Sequence, residues 1–330
     1  MDYYKVSKYV QDAVEAKVFP SAAFAIGTPL GILYEDYIET DAGTLYDMAS
    51  ITKIMVTTAL CMRFLEMGRL SVHEPVSAFF DVPEDKAEIS LQHLLTHTSG
   101  LPAHVMLSDM VQDPARVVEC ISNLPLENPV GEENVYSCLG FILLGKILEK
   151  IGGDSLDSLA ERYIFRPNGM TDTMFNPTAR KTAPTEHGTG FVHDENAYFL
   201  GGVSGNAGLF STLRDAARFT QLLARDRGGL FSPAAKRTFI RNYTTGKKES
   251  RGLGFSIYDG RPHPLGDLFS YGSFGHTGFT GTSMFIDKET GLFVVLLTNR
   301  VFYGRDNNQI IYFRRRFHNF VYGIWSTIKF

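Results

Sequence analysis

The chain is 330 residues long, 44% apolar and 21% charged, with a formal net charge of −4. That length and balance describe a folded protein with a large core, as one big domain or two closely joined ones. No overall basic field exists to attract nucleic acid, and no run of about 18 apolar residues exists to span a membrane.

In chain order, Tyr4 to Ala16 carries apolar residues at helical spacing, and Pro20 ends it. Ala22–Ile26 and Gly31–Tyr37 read as two strands about a Gly-Thr-Pro turn. A helix is expected from about Ser50 to Met67, closed by Gly68. Residues 71 to 196 are rich in short helical patterns and poor in strand signals. Within them, Leu139, Leu143, Ile147 and Ile151 form the stripe of an amphipathic helix that Tyr136-Ser137-Cys138 opens. A glycine-rich stretch, 201–208, precedes a helix over Leu213–Leu223. The last third turns to strands: Gly252–Tyr258, then a hairpin of Thr282–Ile286 and Leu292–Leu297. Ile310–Trp325 reads as a closing helix that lays an aromatic face on the sheet.

Ser50-Ile-Thr-Lys53 is the stretch with chemistry. A serine and a lysine three residues apart at a helix start share one face, a turn apart. Burial there is expected to lower the lysine pKa, so that a neutral amine takes the proton from Ser50. The spacing alone is weak, and a second copy occurs at Ser326-Thr-Ile-Lys329, where a fraying terminus cannot fix a geometry. His93 and His97 stand at i and i+4, but no third ligand is evident, so no metal is expected. The glycine-rich stretch lacks the Lys-Ser or Lys-Thr of a phosphate loop. Cys61, Cys120 and Cys138 are odd in number and far apart, which suggests free thiols. The N-terminus lacks the pattern of a secretory signal, giving a cytoplasmic expectation.

Ser50-x-x-Lys53, Tyr136-Ser-Cys138 and His276-Thr277-Gly278, taken in order, resemble the three motifs of the serine β-lactamase and penicillin-binding protein superfamily. The likeness is closest to the branch with class C β-lactamases, D,D-peptidases, D-aminopeptidases and β-lactamase-like esterases. It spans roughly residues 20 to 300 and includes His93-Leu-Leu-Thr-His-Thr-Ser-Gly-Leu-Pro102. The resemblance implies an α+β fold: an antiparallel sheet flanked by helices, with an all-helical inserted region. Residues 1–70 and 200–330 would build the sandwich domain, and 71–199 the mainly helical one.

By the same resemblance Ser50 would be the acylated nucleophile, Lys53 its proton acceptor and Tyr136 a proton relay. The Ser50 and Phe279 amides would form the oxyanion hole. His276 would stand beside Tyr136, Thr277 and Gly278 would line the substrate site from a sheet-edge strand, and Cys138 would line it from the second motif. Two departures from the pattern matter. Cys138 replaces the usual Asn of the second motif, and His276 replaces the Lys of the third. Both turn the expectation away from β-lactams and towards esters or small amides, without a cofactor. Asn206 could stand in for the missing Asn if the glycine-rich loop folds over the cleft. A D,D-carboxypeptidase or D-aminopeptidase and a non-turnover ligand sensor are the alternatives. The partner expected in every case is a small-molecule ester, amide or β-lactam-like compound.

Overall fold

The computed structural model describes residues 3–327. Among the described residues, nine strands form two antiparallel sheets: β1 Ala22–Thr28, β2 Gly31–Ile38, β3 Tyr46–Asp47, β4 Thr173–Phe175, β5 Leu209–Ser211, β6 Ser256–Ile257, β7 Phe274–Thr277, β8 Ser283–Ile286 and β9 Phe293–Thr298. The larger sheet has the order β2-β1-β9-β8-β7-β6, and the smaller one the order β3-β5-β4. Ala22 pairs with Thr298 and with Ile38, so β1, from the start of the chain, joins strands from its end.

Both faces of the large sheet are covered, and the alternation of side chains explains how. Ala23, Ala25, Val295 and Leu297 point to one core, shared with the helix Leu213–Ala224. Phe24, Ile26, Val294 and Leu296 point to the other, beneath the terminal helices Tyr4–Glu15 and Gln309–Ser326. Phe317 meets Phe24 edge-on at 5.7 Å, and Phe313 stacks on Tyr9 at 5.4 Å. The aromatic face of the last helix is thus buried on the sheet. No helix among the described residues is long and apolar enough to cross a membrane.

Between β2 and β6 in the sequence lie the short helices of residues 76–168 and, among them, the longer helix Cys138–Gly152, whose Leu139, Phe141, Leu144, Ile147 and Leu148 are buried. Residues 71–199 add only β4, a strand of the small sheet, and none to the large one. Two expected elements differ. Gly252–Tyr258 yields only β6, because Leu253 and Gly254 donate instead to the carbonyls of Phe239 and Leu95. The expected helix from Ser50 is a 3-10 turn over Ala49–Ile51, a π-helical stretch over Lys53–Thr58, then an α-helix over Ala59–Glu66. Lys329 of the second Ser-x-x-Lys copy lies outside the described residues.

Candidate active site

Ser50 stands at the exit of β3. Asp47, the last residue of that strand, accepts the Ala49 amide at Oδ1, 2.8 Å away. Ala49 sits at φ 47°, in the left-handed region where a side chain is strained, so the turn into Ser50 is imposed by its surroundings. The chain then enters the π-helical stretch, a widened turn often found at functional positions. This brings Lys53 Nζ 3.1 Å from Ser50 Oγ.

Lys53 is fully buried, and its ammonium has three acceptors besides the Tyr136 hydroxyl. Besides Ser50 Oγ they are the Asn206 carbonyl at 2.9 Å and Cys138 Sγ at 3.5 Å. Burial by itself lowers the lysine pKa. Attraction to Cys138 and Tyr136, a hydrogen bond to Tyr136 and the Asp194 carboxylate outweigh it, and Lys53 is held above the ordinary lysine range. The expected neutral amine is therefore corrected to a resting ammonium. Desolvation was the only force legible in the sequence, and the acceptors around Nζ come from distant segments.

The Tyr136 hydroxyl interacts with both Ser50 and Lys53. Burial raises its pKa, the Lys53 charge opposing, so the phenol rests neutral beside the ammonium. Its ring lies 4.5 Å from that of His97 and 5.9 Å from that of His276. The Arg251 guanidinium sits over it at 5.3 Å.

His276 lies on β7, which the two-residue β6 covers only at Phe274 and Gly275. Thr277 and His276 therefore face the cleft along an edge that is unpaired on that side, although β7 itself is not the last strand. His276 Nδ1 donates to the Thr277 carbonyl at 2.7 Å, which leaves Nε2 as an acceptor with no partner among the described residues. Burial, then repulsion by Arg251 and Lys53, drives its pKa well below the usual histidine value. His276 is accordingly neutral and supplies no fixed charge.

The loop after β7 is bolted to the serine turn. Thr280 Oγ1 donates to the Asp47 carbonyl at 2.7 Å, and Thr282 Oγ1 to the Met48 carbonyl at 3.1 Å. Gly278 fits between them: a Cβ there would lie 2.0 Å from Thr282 Oγ1 and 2.6 Å from Met48 O. The next amide, that of Phe279, donates to no acceptor among the described residues. The Phe279 ring is partly exposed, between His193 and Arg300.

Asn206 is present, but not in the expected way. Its side chain is buried, with Oδ1 accepting from Ser204 Oγ at 2.7 Å and Nδ2 donating to Asp194 at 3.1 Å. Only its carbonyl reaches the site, on Lys53. The expected substrate-facing amide is corrected to a backbone contact, because Asp194 and Ser204 consume the side chain. The glycine-rich loop gets there through close packing. A Cβ on Gly205 would lie 2.1 Å from Phe141 O, and Thr57 Oγ1 donates to Gly205 O at 2.6 Å. Cys138 opens its helix half-buried, with Sγ towards Lys53 rather than towards open solvent.

Several participants escaped the sequence reading. His97, at φ 58°, is buried with Nδ1 accepting from the Ser137 amide at 3.1 Å, which fixes the segment carrying Tyr136. His93 instead closes a capping box with Ser90, so the two imidazoles are engaged apart from each other. Arg251 lies about 25 residues before His276 with no motif to mark it. Arg314, on the last helix, donates to the carbonyls of Gly278 and Thr282 at 3.3 and 3.2 Å, and burial pulls its pKa down to about 9.

These groups line a cleft of about 550 Å³ that exposes Ser50, Tyr136, His276, Thr277, Gly278 and Phe279. Its farther wall carries Lys248, Arg251, Arg261, Arg300 and Arg314 against Glu249 and Asp259. A protein of net negative charge thus has a net cationic cleft.

A serine at a strand exit, a buried lysine one turn on and a tyrosine from an inserted helical region define a class of protein, the serine acyl-transfer hydrolases of the β-lactamase type. The β-lactamase family model matches residues 6–318, and the chain belongs to that family. It is 31% identical over 312 residues to an Escherichia coli K12 protein named "Putative D-alanyl-D-alanine carboxypeptidase", covering 82% of this chain and 72% of that one. It is 30% identical over 300 residues to the N-acetylmuramyl-L-alanine amidase of Bacillus subtilis strain 168, covering 78% and 68%. Among solved structures, the octameric penicillin-binding protein homologue from Pyrococcus abyssi superposes with a TM-score of 0.78 at 21% identity, covering 98% of this chain and 78% of that one. EstCE1, a hydrolase with promiscuous acyltransferase activity, superposes at 0.76 with 20% identity, covering 96% and 98%.

Proposed function

We propose that the protein hydrolyses esters or small amides through an acyl-enzyme on Ser50. The observation that carries this reading is the 3.1 Å contact between Lys53 Nζ and Ser50 Oγ, with the Tyr136 hydroxyl against both, at the floor of an open cleft. Ser50 Oγ attacks the carbonyl carbon, and its proton passes to the Lys53–Tyr136 pair. With Lys53 charged and Tyr136 neutral at rest, the pair must first lose one proton to act as base. The Ser50 and Phe279 amides receive the negative oxygen of the tetrahedral intermediate, each such donor being worth about 3 kcal/mol. Tyr136 then gives a proton to the leaving group. Water repeats the sequence on the acyl-enzyme and releases the acid.

Two features favour esters and small amides over penicillins. Cys138 offers a thiol where an amide would grip an acylamino side chain, and the Asn206 amide is spent on Asp194. Neutral His276 gives no charge for a carboxylate.

A second reading, a D,D-carboxypeptidase, is favoured by Arg251. Its buried guanidinium, paired with Glu249, lies over Tyr136 where a substrate carboxylate could share it, and the name of the Escherichia coli relative points the same way. The test is intact mass spectrometry after incubation with a fluorophosphonate, a penicillin and a p-nitrophenyl ester, on wild type and Ser50→Ala. A serine adduct lost in the variant, with ester turnover and little penicillin adduct, supports the esterase-like hydrolase. A lasting penicillin adduct supports the peptidase. No adduct with any probe overturns both and leaves a non-turnover ligand sensor.

A further inference from the structure

At the rim of the cleft, beside Phe279, the segment before the helix Glu195–Phe199 folds back on itself. Thr185 and Gly188 exchange backbone hydrogen bonds, which turns Glu186 and His187 towards His193. One carboxylate oxygen of Glu186, one ring nitrogen of His187 and one of His193 all lie within 4.8 Å of one another. Two imidazoles and a carboxylate form a familiar ligand set for zinc and its neighbours among the divalent transition metals. The acyl-transfer chemistry uses none of the three.

We propose that Glu186, His187 and His193 bind a divalent transition metal ion of the zinc class at the rim of the cleft. Two of the ligands are already oriented. His193 is buried, its backbone N–H donates to Asp47 Oδ2 at 2.7 Å, and its ring stacks on Phe279 at 5.5 Å. Glu186 turns Oε1 to His193 Nε2 at 2.8 Å while Oε2 accepts the Arg305 amide at 3.2 Å. The Glu186–His193 hydrogen bond joins two of the proposed ligands and gives way to the ion, while the Arg305 amide on Oε2 is the outer hydrogen bond that keeps the carboxylate in place. The neighbouring Arg305 guanidinium is engaged with Glu195, which leaves the Glu186 carboxylate to face the imidazoles.

His187, exposed and stacked on His193 at 4.9 Å, is the ligand that moves. Tetrahedral zinc with bonds of about 2.1 Å puts its ligands about 3.4 Å apart. Turning the exposed His187 and Glu186 side chains would draw His187 in and open the 2.8 Å Glu186–His193 contact to that spacing. Three protein ligands leave the fourth position to water. Because His193 also holds Asp47 and Phe279, the ion would tie this segment to both anchors of the serine turn.

The test is titration calorimetry of the chelator-treated protein with zinc chloride, repeated on His187→Ala and Glu186→Gln. Cobalt(II) serves as a spectroscopic reporter of a nitrogen and oxygen ligand set. The expected result is one zinc ion per chain, with affinity at least about 10-fold weaker in each variant, and tetrahedral cobalt absorption that both variants lose. Melting curves taken without metal should be unchanged in the variants, which separates lost binding from lost folding. Absence of saturable binding overturns the proposal. So does equal affinity in wild type and both variants, which would place the metal elsewhere. The readout is independent of turnover, so failure here leaves the Ser50 chemistry standing, and the reverse holds as well.

Discussion

Lys53 Nζ donates to the main-chain carbonyl of Asn206 across 2.9 Å, which joins the Ser50-x-x-Lys53 motif to a loop 153 residues further along the chain. A backbone carbonyl cannot titrate or rotate away. It fixes the ammonium under Ser50 and adds to the forces that keep it charged. The glycine-rich loop owes its place to this contact and to the fit of Gly205 against the helix behind it.

The charge state of the Lys53–Tyr136 pair sets a pH dependence. Both groups are held above their ordinary values, so at neutral pH the pair carries one proton more than a general base can. The rate of Ser50 labelling by a fluorophosphonate should rise with pH from about 6.5 to 9, close to tenfold per unit. Stopped-flow labelling with Ser50→Ala as background measures it. A plateau already reached below pH 7 would show that Lys53 is neutral at rest.

Gly278→Ala should disable catalysis while leaving the protein folded. The new methyl would collide with Thr282 Oγ1 and Met48 O, so the serine turn and the Phe279 amide must separate. Loss of one oxyanion donor predicts a fall in kcat of about 10²–10³-fold with a smaller change in KM. Steady-state ester kinetics alongside a melting curve decide it. Activity within threefold of wild type would remove Phe279 from the oxyanion hole.

Gly205→Ala tests the loop that carries the Asn206 carbonyl. Its methyl would sit 2.1 Å from Phe141 O and close to Gly145, both backbone and unable to yield. Overpacking of this kind costs about 1–3 kcal/mol, and the loop must lift away from Lys53. Denaturant unfolding should show the stability loss. Labelling of Ser50 should slow by more than the stability loss alone explains.

Asp47 is buried, and its pKa is raised to about 6. Burial is the cause, opposed by the His193 and Ala49 amides, with Asp194 adding repulsion. A carboxyl raised in the folded state binds more protons there than in the unfolded chain between about pH 4 and 6. Its contribution to stability is therefore full below pH 4 and lost as pH rises through 6, by about 3 kcal/mol. In Asp47→Asn that slope should vanish from urea midpoints measured across the window. An unchanged slope would assign it to another group.

Cys138→Ser should keep ester turnover within about threefold, since Lys53 retains Ser50 Oγ and the Asn206 carbonyl as acceptors. Rapid thiol labelling at Cys138, with activity loss that substrate prevents, would instead give the thiol a direct part.

The sequence by itself determined the order of the parts. Short apolar runs bounded by turn residues placed β1, β8 and β9, and the aromatic stripe of Ile310–Trp325 required a sheet to cover, because such patterns are local and burial then reads them out. Ser50-x-x-Lys53, Tyr136 and His276 were legible as spaced motifs, since each carries a distinct chemical group. Only the tertiary structure decided what surrounds them. The Lys53 charge depends on Asn206, Cys138, Tyr136 and Asp194, none of them its neighbour in sequence. The same folding spends the Asn206 side chain on Asp194, brings Arg251 over Tyr136, and sets His193 against Phe279. Electrostatic and hydrogen-bond partnerships depend on distance in space, and a distance between remote segments exists only once the chain has packed.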